Sequence, residues 1–191
     1  MLLIVGLGNP GPQYVDNRHN IGFHVIDALR KEYDFPAYSS KFDALLSIGQ
    51  IEDQKVVLLK PLTYMNLSGK SVGECARYFH VKPEDVIVIH DEIDIPFGKI
   101  KAKQGGGTGG HNGLKSIDAH IGPNYYRIRF GVGKPVGSKA AKDHVLKDFS
   151  KTEREELPHM IGDILAEFPK MMAKETAKFL NGIALRRQQV K

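Results

Sequence analysis

One cysteine, no tryptophan and no long apolar run set the first limits on this 191-residue chain. A lone Cys75 cannot close an internal disulfide, which points to a reducing, cytoplasmic setting. No stretch approaches the roughly 18 uninterrupted apolar residues of a membrane span, and the longest early run, residues 2–5, stops at Gly6. Residues 1–9 lack the basic start and apolar segment of a secretory leader, so a soluble protein is expected. Gly and Pro, at 20 and 10, are too few for a collagen-like or low-complexity polymer, and 41% hydrophobic residues are too many for a disordered one. The length supports one substantial core, so a single domain over residues 1–191 is expected. No heptad or large apolar stripe is visible, which favours a monomer.

The formal net charge of +5 is unevenly spread. Between residues 99 and 147 stand ten basic side chains (Lys99, Lys101, Lys103, Lys115, Arg127, Arg129, Lys134, Lys139, Lys142 and Lys147) and two acidic ones, Asp118 and Asp143. The rest of the chain holds 17 basic and 20 acidic residues. Clustered cations gain affinity for a polyanion by releasing counterions from its phosphates, so this region is expected to face one. A merely solubilising surface is the alternative.

Residues 2–5 predict a short buried strand, ended by a glycine- and proline-rich turn over 6–11. Ile21, Val25, Ile26, Leu29 and Tyr33 recur near helical spacing and predict a helix from Asn17 or Asn20 to about 34–36. Extended runs over 44–51 and 55–59 flank Glu52-Asp53-Gln54 as a hairpin. A helix over 66–79 is followed by a buried strand over 86–89 that runs into His90-Asp91-Glu92. Residues 98–103 alternate like an exposed edge strand, followed by a glycine loop over 105–110, a helix over 113–121 and a strand over 126–132. The tail from Ser150 is helical by propensity, with breaks expected at Pro158 and Pro169. This interleaving predicts an α/β fold, a single domain with a mixed twisted β-sheet and helices on both faces. Ligands in such sheets gather where strand C-terminal ends meet loops.

Gly6, Gly8 and Gly11 fit the G-x-G-x-x-G fingerprint of an NAD(P)-binding oxidoreductase. Against it, Pro10 and Pro12 have no amide hydrogens to offer a pyrophosphate, and Asp27 and Glu32 fall inside the predicted helix rather than at a strand end. Gly69-Lys70-Ser71 resembles the end of a P-loop, but Tyr64 stands where that motif needs glycine; a small-residue patch for close helix packing is the simpler reading. His19, His90, Asp91, Asp94 and His111 show no metal-ligand spacing, so no metal and no other cofactor is expected. Cys75 lies on the apolar face of its helix, where a free thiol is packing.

What remains is a set of polar residues at loop positions after strands: Asn9, His19, Asn20, Asn66, Asp91, His111 and Asn112. An imidazole can take a proton from water, a carboxylate can fix its tautomer, and side-chain amides can orient a carbonyl or steady developing charge. These are the parts of a hydrolase without metal or covalent nucleophile. Each residue taken singly is more often a turn or cap.

Five segments now combine: Gly6-Leu7-Gly8-Asn9-Pro10-Gly11, Arg18-His19-Asn20-Ile21-Gly22, residues 61–69 (PLTYMNLSG), His90-Asp91-Glu92-Ile93-Asp94 and Gly109-Gly110-His111-Asn112-Gly113-Leu114. In this order, and over nearly the whole chain, they resemble the bacterial-type peptidyl-tRNA hydrolases. The resemblance implies a peptidyl-tRNA hydrolase-like, phosphorylase/hydrolase-like fold. It also implies hydrolysis of the ester joining a peptide, or an N-blocked amino acid, to the 3′ end of tRNA. By the same likeness His19 is the general base and Asp91 its orienting partner. Asn9 contacts substrate near the ester and helps tell a blocked amine from a free one, while Asn66 and Asn112 position it, Asn112 also near the water or developing oxyanion. Tyr14 and Tyr64 match positions beside the tRNA 3′ end. Lys103 and Arg129 match a clamp on the 5′-terminal phosphate, with Lys99, Lys101, Lys134, Lys139 and Lys142 along the acceptor stem. The glycine loop is expected to give backbone freedom beside the substrate, as a lid or gate. A binding protein that keeps this fold without turnover is the alternative from another class.

Overall fold

The computed structural model describes residues 1–135 and 140–189. Seven strands form one sheet: β1 (Leu2–Gly6), β2 (Ser39–Lys41), β3 (Ala44–Ile51), β4 (Gln54–Pro61), β5 (Val86–Glu92), β6 (Ile100–Gln104) and β7 (Tyr126–Gly131). Their order is β2-β3-β4-β1-β5-β7-β6. The central strands β4, β1, β5 and β7 run parallel, and the pairs β2–β3, β3–β4 and β6–β7 are antiparallel. The sheet is therefore mixed, as expected.

The helices are α1 (Ile21–Glu32), α2 (Ser68–Tyr78), α3 (Asn112–Ile121), α4 (Ala141–Val145), α5 (Lys151–Met172) and α6 (Thr176–Gln189). Strands β1 and β5 are apolar on both faces because both faces are covered. Leu2, Ile4, Ile87 and Ile89 pack with α1, α5 and α6 in one core, while Leu3, Val5, Val86 and Val88 pack with α2 and α3 in the other. No helix among the described residues is long and apolar enough to cross a membrane.

The two-residue turn Phe42-Asp43 joins β2 to β3 with positive φ at both positions, 60° and 52°. Strand β2 escapes sequence reading because Ser39-Ser40-Lys41 is exposed and polar; its conformation is imposed by pairing with β3.

The expected breaks at Pro158 and Pro169 do not occur, and α5 runs unbroken through both. A proline inside a helix costs about 3 kcal/mol, but α5 buries Leu157, Met160, Ile164, Leu165, Phe168 and Met171. At about 1.5–3 kcal/mol for each buried apolar side chain, packing wins. Pro169 leaves the Leu165 carbonyl without its helical donor, and the Tyr33 hydroxyl donates to that oxygen instead, at 3.2 Å. Pro158 and Arg154, whose carbonyl loses its helical donor, lie on the exposed face where water can replace it.

The glycines that mimicked a dinucleotide fingerprint serve packing. A Cβ on Gly6 would lie 2.1 Å from the Gly22 carbonyl oxygen, so α1 crosses against the end of β1 only because both residues are glycine. Helix α1 begins at Ile21, well beyond Gly11, and only the single 3-10 turn Pro12–Tyr14 follows the glycines, so among the described residues no α-helix N-terminus stands there to receive a pyrophosphate. Gly69 plays the same part between α2 and α3: its Cβ would fall 2.0 Å from the Ser116 carbonyl oxygen, as the packing reading of Gly69-Lys70-Ser71 expects.

Candidate active site

The close approach of α1 to β1 brings the turn Arg18–Asn20 over the C-terminal end of β5. That turn is clamped from outside. Asn17 Nδ2 donates to Asp148 Oδ1 at 2.7 Å, and the Arg18 guanidinium reaches the His144 carbonyl at 3.1 Å and Glu153 Oε1 at 2.9 Å. His19, which follows them, points its Nδ1 at Asp91 Oδ2, 2.8 Å away. The sequence-predicted pair is thus in contact.

Asp91 has a second imidazole partner. His111 Nε2 lies 2.8 Å from Asp91 Oδ1, and His111 Nδ1 accepts from the backbone N–H of Gly113 at 3.1 Å and of Leu114 at 3.4 Å. His111 is therefore the side-chain N-cap of α3. Because its Nδ1 must accept, its Nε2 carries the proton and donates to Asp91. Sequence reasoning placed His111 among the polar loop residues but assigned it no such role.

Asp91 is 2% exposed. Burial alone would raise its carboxyl, but the charges of His19 and His111 and their hydrogen bonds hold it well below the usual range. Burial likewise pushes the His19 imidazole down, and the charge and hydrogen bond of Asp91 overcome this and raise it above its ordinary value. With Nδ1 engaged, Nε2 is the nitrogen left for a water.

His90, adjacent in sequence, is interior: burial, then His111, push its imidazole down to about 3, and its Nδ1 donates to the Asp91 carbonyl at 2.8 Å. Cys75 is buried, and burial pushes its thiol up to about 12, in keeping with a packing role.

Asn9 and Asn20 lock together: the Asn9 N–H donates to Asn20 Oδ1 and Asn20 Nδ2 donates back to the Asn9 carbonyl, both at 2.9 Å. Asn9 Oδ1 accepts from the Met65 N–H at 2.8 Å, so the oxygen of this amide is committed and its NH₂ is what remains for a ligand. The same bond draws exposed Tyr64 and Asn66, the neighbours of Met65, to the site. Asn112 is exposed at the first position of α3, next to His111, and Tyr14 is half-buried in the turn Pro12–Tyr14.

The basic region divides. Arg127 is fully buried: it donates to the Gly107 and Gly106 carbonyls at 2.6 and 3.0 Å, lies over the Tyr125 ring and sits 3.6 Å from Asp118. It cannot face a polyanion, because β7 is an inner strand of the sheet and this side chain is buried, so one of the ten basic residues counted in this region is not available to one. Its bonds also tie down the first half of the glycine loop. Arg129 pairs with Glu92 at 2.9 Å and Lys134 with Asp94 at 3.2 Å. Lys103 is half-buried on β6, and burial, then Arg129 and Arg127, lower its ammonium. Among the described residues no carboxylate lies within ion-pair distance of Lys99, Lys101, Lys103 or Lys142. Lys139 lies outside the described residues.

His19, Asp91 and His111 offer ligand atoms within 4.8 Å of one another, a convergence invisible in their sequence spacing. His90 and Asp94 do not join them. A divalent cation at that point would take the place of the protons now shared at 2.8 Å with both Asp91 oxygens.

Residues 3–191 match the family model described as peptidyl-tRNA hydrolase. A peptidyl-tRNA hydrolase of Rhizobium rhizogenes is 50% identical over 186 residues, covering 97% of this chain and 78% of that protein. One from Novosphingobium aromaticivorans is 46% identical over 188 residues, 98% of each. The crystal structure of peptidyl-tRNA hydrolase from Acinetobacter baumannii superposes with a TM-score of 0.90 at 38% identity, covering 96% of this chain and 94% of that one. The chain belongs to the peptidyl-tRNA hydrolase family.

Proposed function

We propose that this protein hydrolyses the ester between a peptide, or an N-blocked amino acid, and the 3′ end of tRNA, with His19 as general base. The observation that carries the reading is the 2.8 Å contact between His19 Nδ1 and Asp91 Oδ2, which engages Nδ1 and leaves Nε2 for a reacting water. Nε2 takes a proton from the water as its oxygen attacks the acyl carbon. Asp91 stabilises the imidazolium so formed. When the C–O bond to the ribose breaks, the imidazolium can return that proton to the departing oxygen, leaving a free peptide carboxyl and a tRNA 3′-hydroxyl.

Asn9 donates through its NH₂ to a carbonyl of the acyl group; a free ammonium would meet a donor there, which disfavours an unblocked amino acid. Asn66 and Asn112 hold the substrate from either side of the site, Asn112 also steadying the water or the oxyanion. Tyr14 and Tyr64 flank the 3′ end. Lys103 and Arg129 clamp the 5′-terminal phosphate, and Lys99, Lys101 and Lys142 follow the backbone of the acceptor stem without reading sequence. The protein acts as a cytoplasmic monomer, without metal or cofactor.

The test is release of labelled N-acetyl-aminoacyl-tRNA at neutral pH in EDTA. The wild type is expected to turn over, and His19→Ala to lose about 10²–10⁴-fold in kcat with little change in KM. No release by the wild type assigns a binding protein, dependence on added metal assigns a metallohydrolase, and full activity of His19→Ala removes His19 from the mechanism.

A further inference from the structure

We propose that Arg18 is a positioning residue for the reaction, holding the turn that carries His19 in register with Asp91. The proposal rests on the reading above that His19 is the general base, and it concerns what keeps that base in place.

The turn cannot do so alone. Arg18–Asn20 is a single 3-10 turn, a form whose hydrogen bonds are poorly aligned, and Asn17 before it gives it no side-chain cap. His19 must nevertheless keep Nδ1 2.8 Å from a carboxylate on another element, Asp91 of β5. Its position is therefore set from outside, on two sides. On the C-terminal side Asn20 is bonded twice to the backbone of Asn9, and α1 follows directly. On the N-terminal side Asn17 is bonded to Asp148 at 2.7 Å, and Arg18, next to His19, supplies the rest.

Arg18 joins three parts of the fold. Its backbone N–H donates to the Lys147 carbonyl at 3.1 Å, and its guanidinium donates to the His144 carbonyl at 3.1 Å and to Glu153 Oε1 at 2.9 Å. Those partners are themselves fixed. The His144 ring reaches the Val132 carbonyl, just beyond β7, at 3.1 Å. Glu153 Oε1 also accepts the Ser150 N–H at 2.9 Å, within the capping box that starts α5. The Phe149 ring centre lies 5.9 Å from the guanidinium carbon. One side chain thus ties the turn to α4, to the start of α5 and, through His144, to the end of β7. At 12% exposed and paired with a carboxylate, Arg18 is not offered to phosphate as Lys103 is.

The chemistry gives this anchor its effect. The titratable groups that face His19 are Asp91 and, with ring centres 5.0 Å apart, His111; the Arg18 guanidinium goes instead to Glu153. Burial pushes the His19 imidazole down, and Asp91 raises it above its ordinary value. A turn that swings outward lengthens the Asp91 contact first, so the aim of Nε2 and the basicity of the ring are lost together. Supporting residues hold a catalytic group to within about 0.5 Å. A misplacement of about 1 Å costs on the order of 100-fold in rate.

The experiment measures deacylation of N-acetyl-aminoacyl-tRNA by Arg18→Met, which keeps the apolar stem and removes the donors. Per folded molecule, kcat is expected to fall about 10–100-fold with KM within about twofold of wild type. The rising limb of kcat/KM is expected to move to lower pH. Arg18→Lys, which keeps the charge and can reach one of the two guanidinium partners, should recover part of both changes. Glu153→Ala removes the anchor but leaves Arg18 in place, and should show the same two changes at smaller size; it carries the test if Arg18→Met does not fold. Thermal melts give the folded fraction. Variants with wild-type kcat and an unmoved limb, whatever their melting temperatures, show a structural role only and overturn the proposal. A raised KM with unchanged kcat and a flattened salt dependence overturns it by assigning Arg18 to phosphate binding. A lower kcat with an unmoved limb overturns it by placing the loss outside the His19–Asp91 pair. Full activity of His19→Ala is instead the failure of the general-base reading.

Discussion

Replacing Asp91 by asparagine tests the site at the level of single protons. In the wild type both carboxylate oxygens accept at 2.8 Å, one from His19 and one from His111. The amide of Asp91→Asn has one acceptor and one donor, so it can satisfy only one of the two imidazoles as they stand. His111 has no choice, because its Nδ1 is committed to the Gly113 and Leu114 amides and its Nε2 must donate. The introduced amide oxygen therefore goes to His111, and the introduced NH₂ faces His19 Nδ1. That forces the His19 proton onto Nε2, the nitrogen that should receive one from water. A wrong tautomer in an analogous triad costs about 10⁴-fold in kcat, and a loss on that order is expected for Asp91→Asn.

The pH profile should move as well. Asp91 raises the His19 imidazole above 6.5 against burial, so wild-type kcat/KM is expected to rise with pH along a limb lying above 6.5. Without the carboxylate, burial acts alone and the residual limb shifts to lower pH. The decisive variant is the double replacement Asp91→Asn with His111→Ala. Removing His111 frees the introduced amide oxygen to accept from His19 Nδ1, restoring the productive tautomer. Activity should recover about tenfold over Asp91→Asn alone, the worth of a hydrogen bond near 1.4 kcal/mol. Deacylation kinetics at matched folded fraction, judged by circular dichroism, measure this. A double variant no more active than the single one would refute the assignment of His111 as the residue that dictates the proton arrangement.

Two further perturbations address binding and stability. Lys103→Ala should raise KM more than it lowers kcat and flatten the salt dependence of KM. Arg129→Ala should raise KM further than Lys103→Ala, because it also leaves Glu92 unpaired toward the tRNA, and Glu92→Gln should lower KM; titration of KM against salt checks all three. Arg127→Leu leaves the Gly106 and Gly107 carbonyls without their donors and removes the cation beside Asp118, which keeps the Tyr125 hydroxyl, and should cost about 3 kcal/mol in urea denaturation.

Much of this protein is written locally. The apolar runs of β1 and β5 are dictated by burial on two faces, and the spacing of Ile21, Val25, Ile26 and Leu29 places one side of α1 on the core. The five motifs identify the family and point to His19 and Asp91, which meet as expected although they lie 72 positions apart.

The misreadings have one cause: a residue's role can depend on a neighbour that is remote in sequence. Pro169 is tolerated because Tyr33, on another helix boundary, supplies the missing donor. Arg127 is alternating and basic like an exposed strand residue, yet β6 and the glycine loop close over it. The G-x-G pattern of the first turn is rightly set aside as a nucleotide site, but the packing that requires its Gly6 shows only when Gly22 is seen crossing it. Sequence alone thus determined which segments are buried, which are helical and which residue types carry the chemistry, because propensity and periodicity act over a few positions. Tertiary structure alone decided which protons are shared, which cations remain exposed and that Asp91 serves two imidazoles. Hydrogen bonds and ion pairs act over about 3 Å, and only folding brings such partners within that reach.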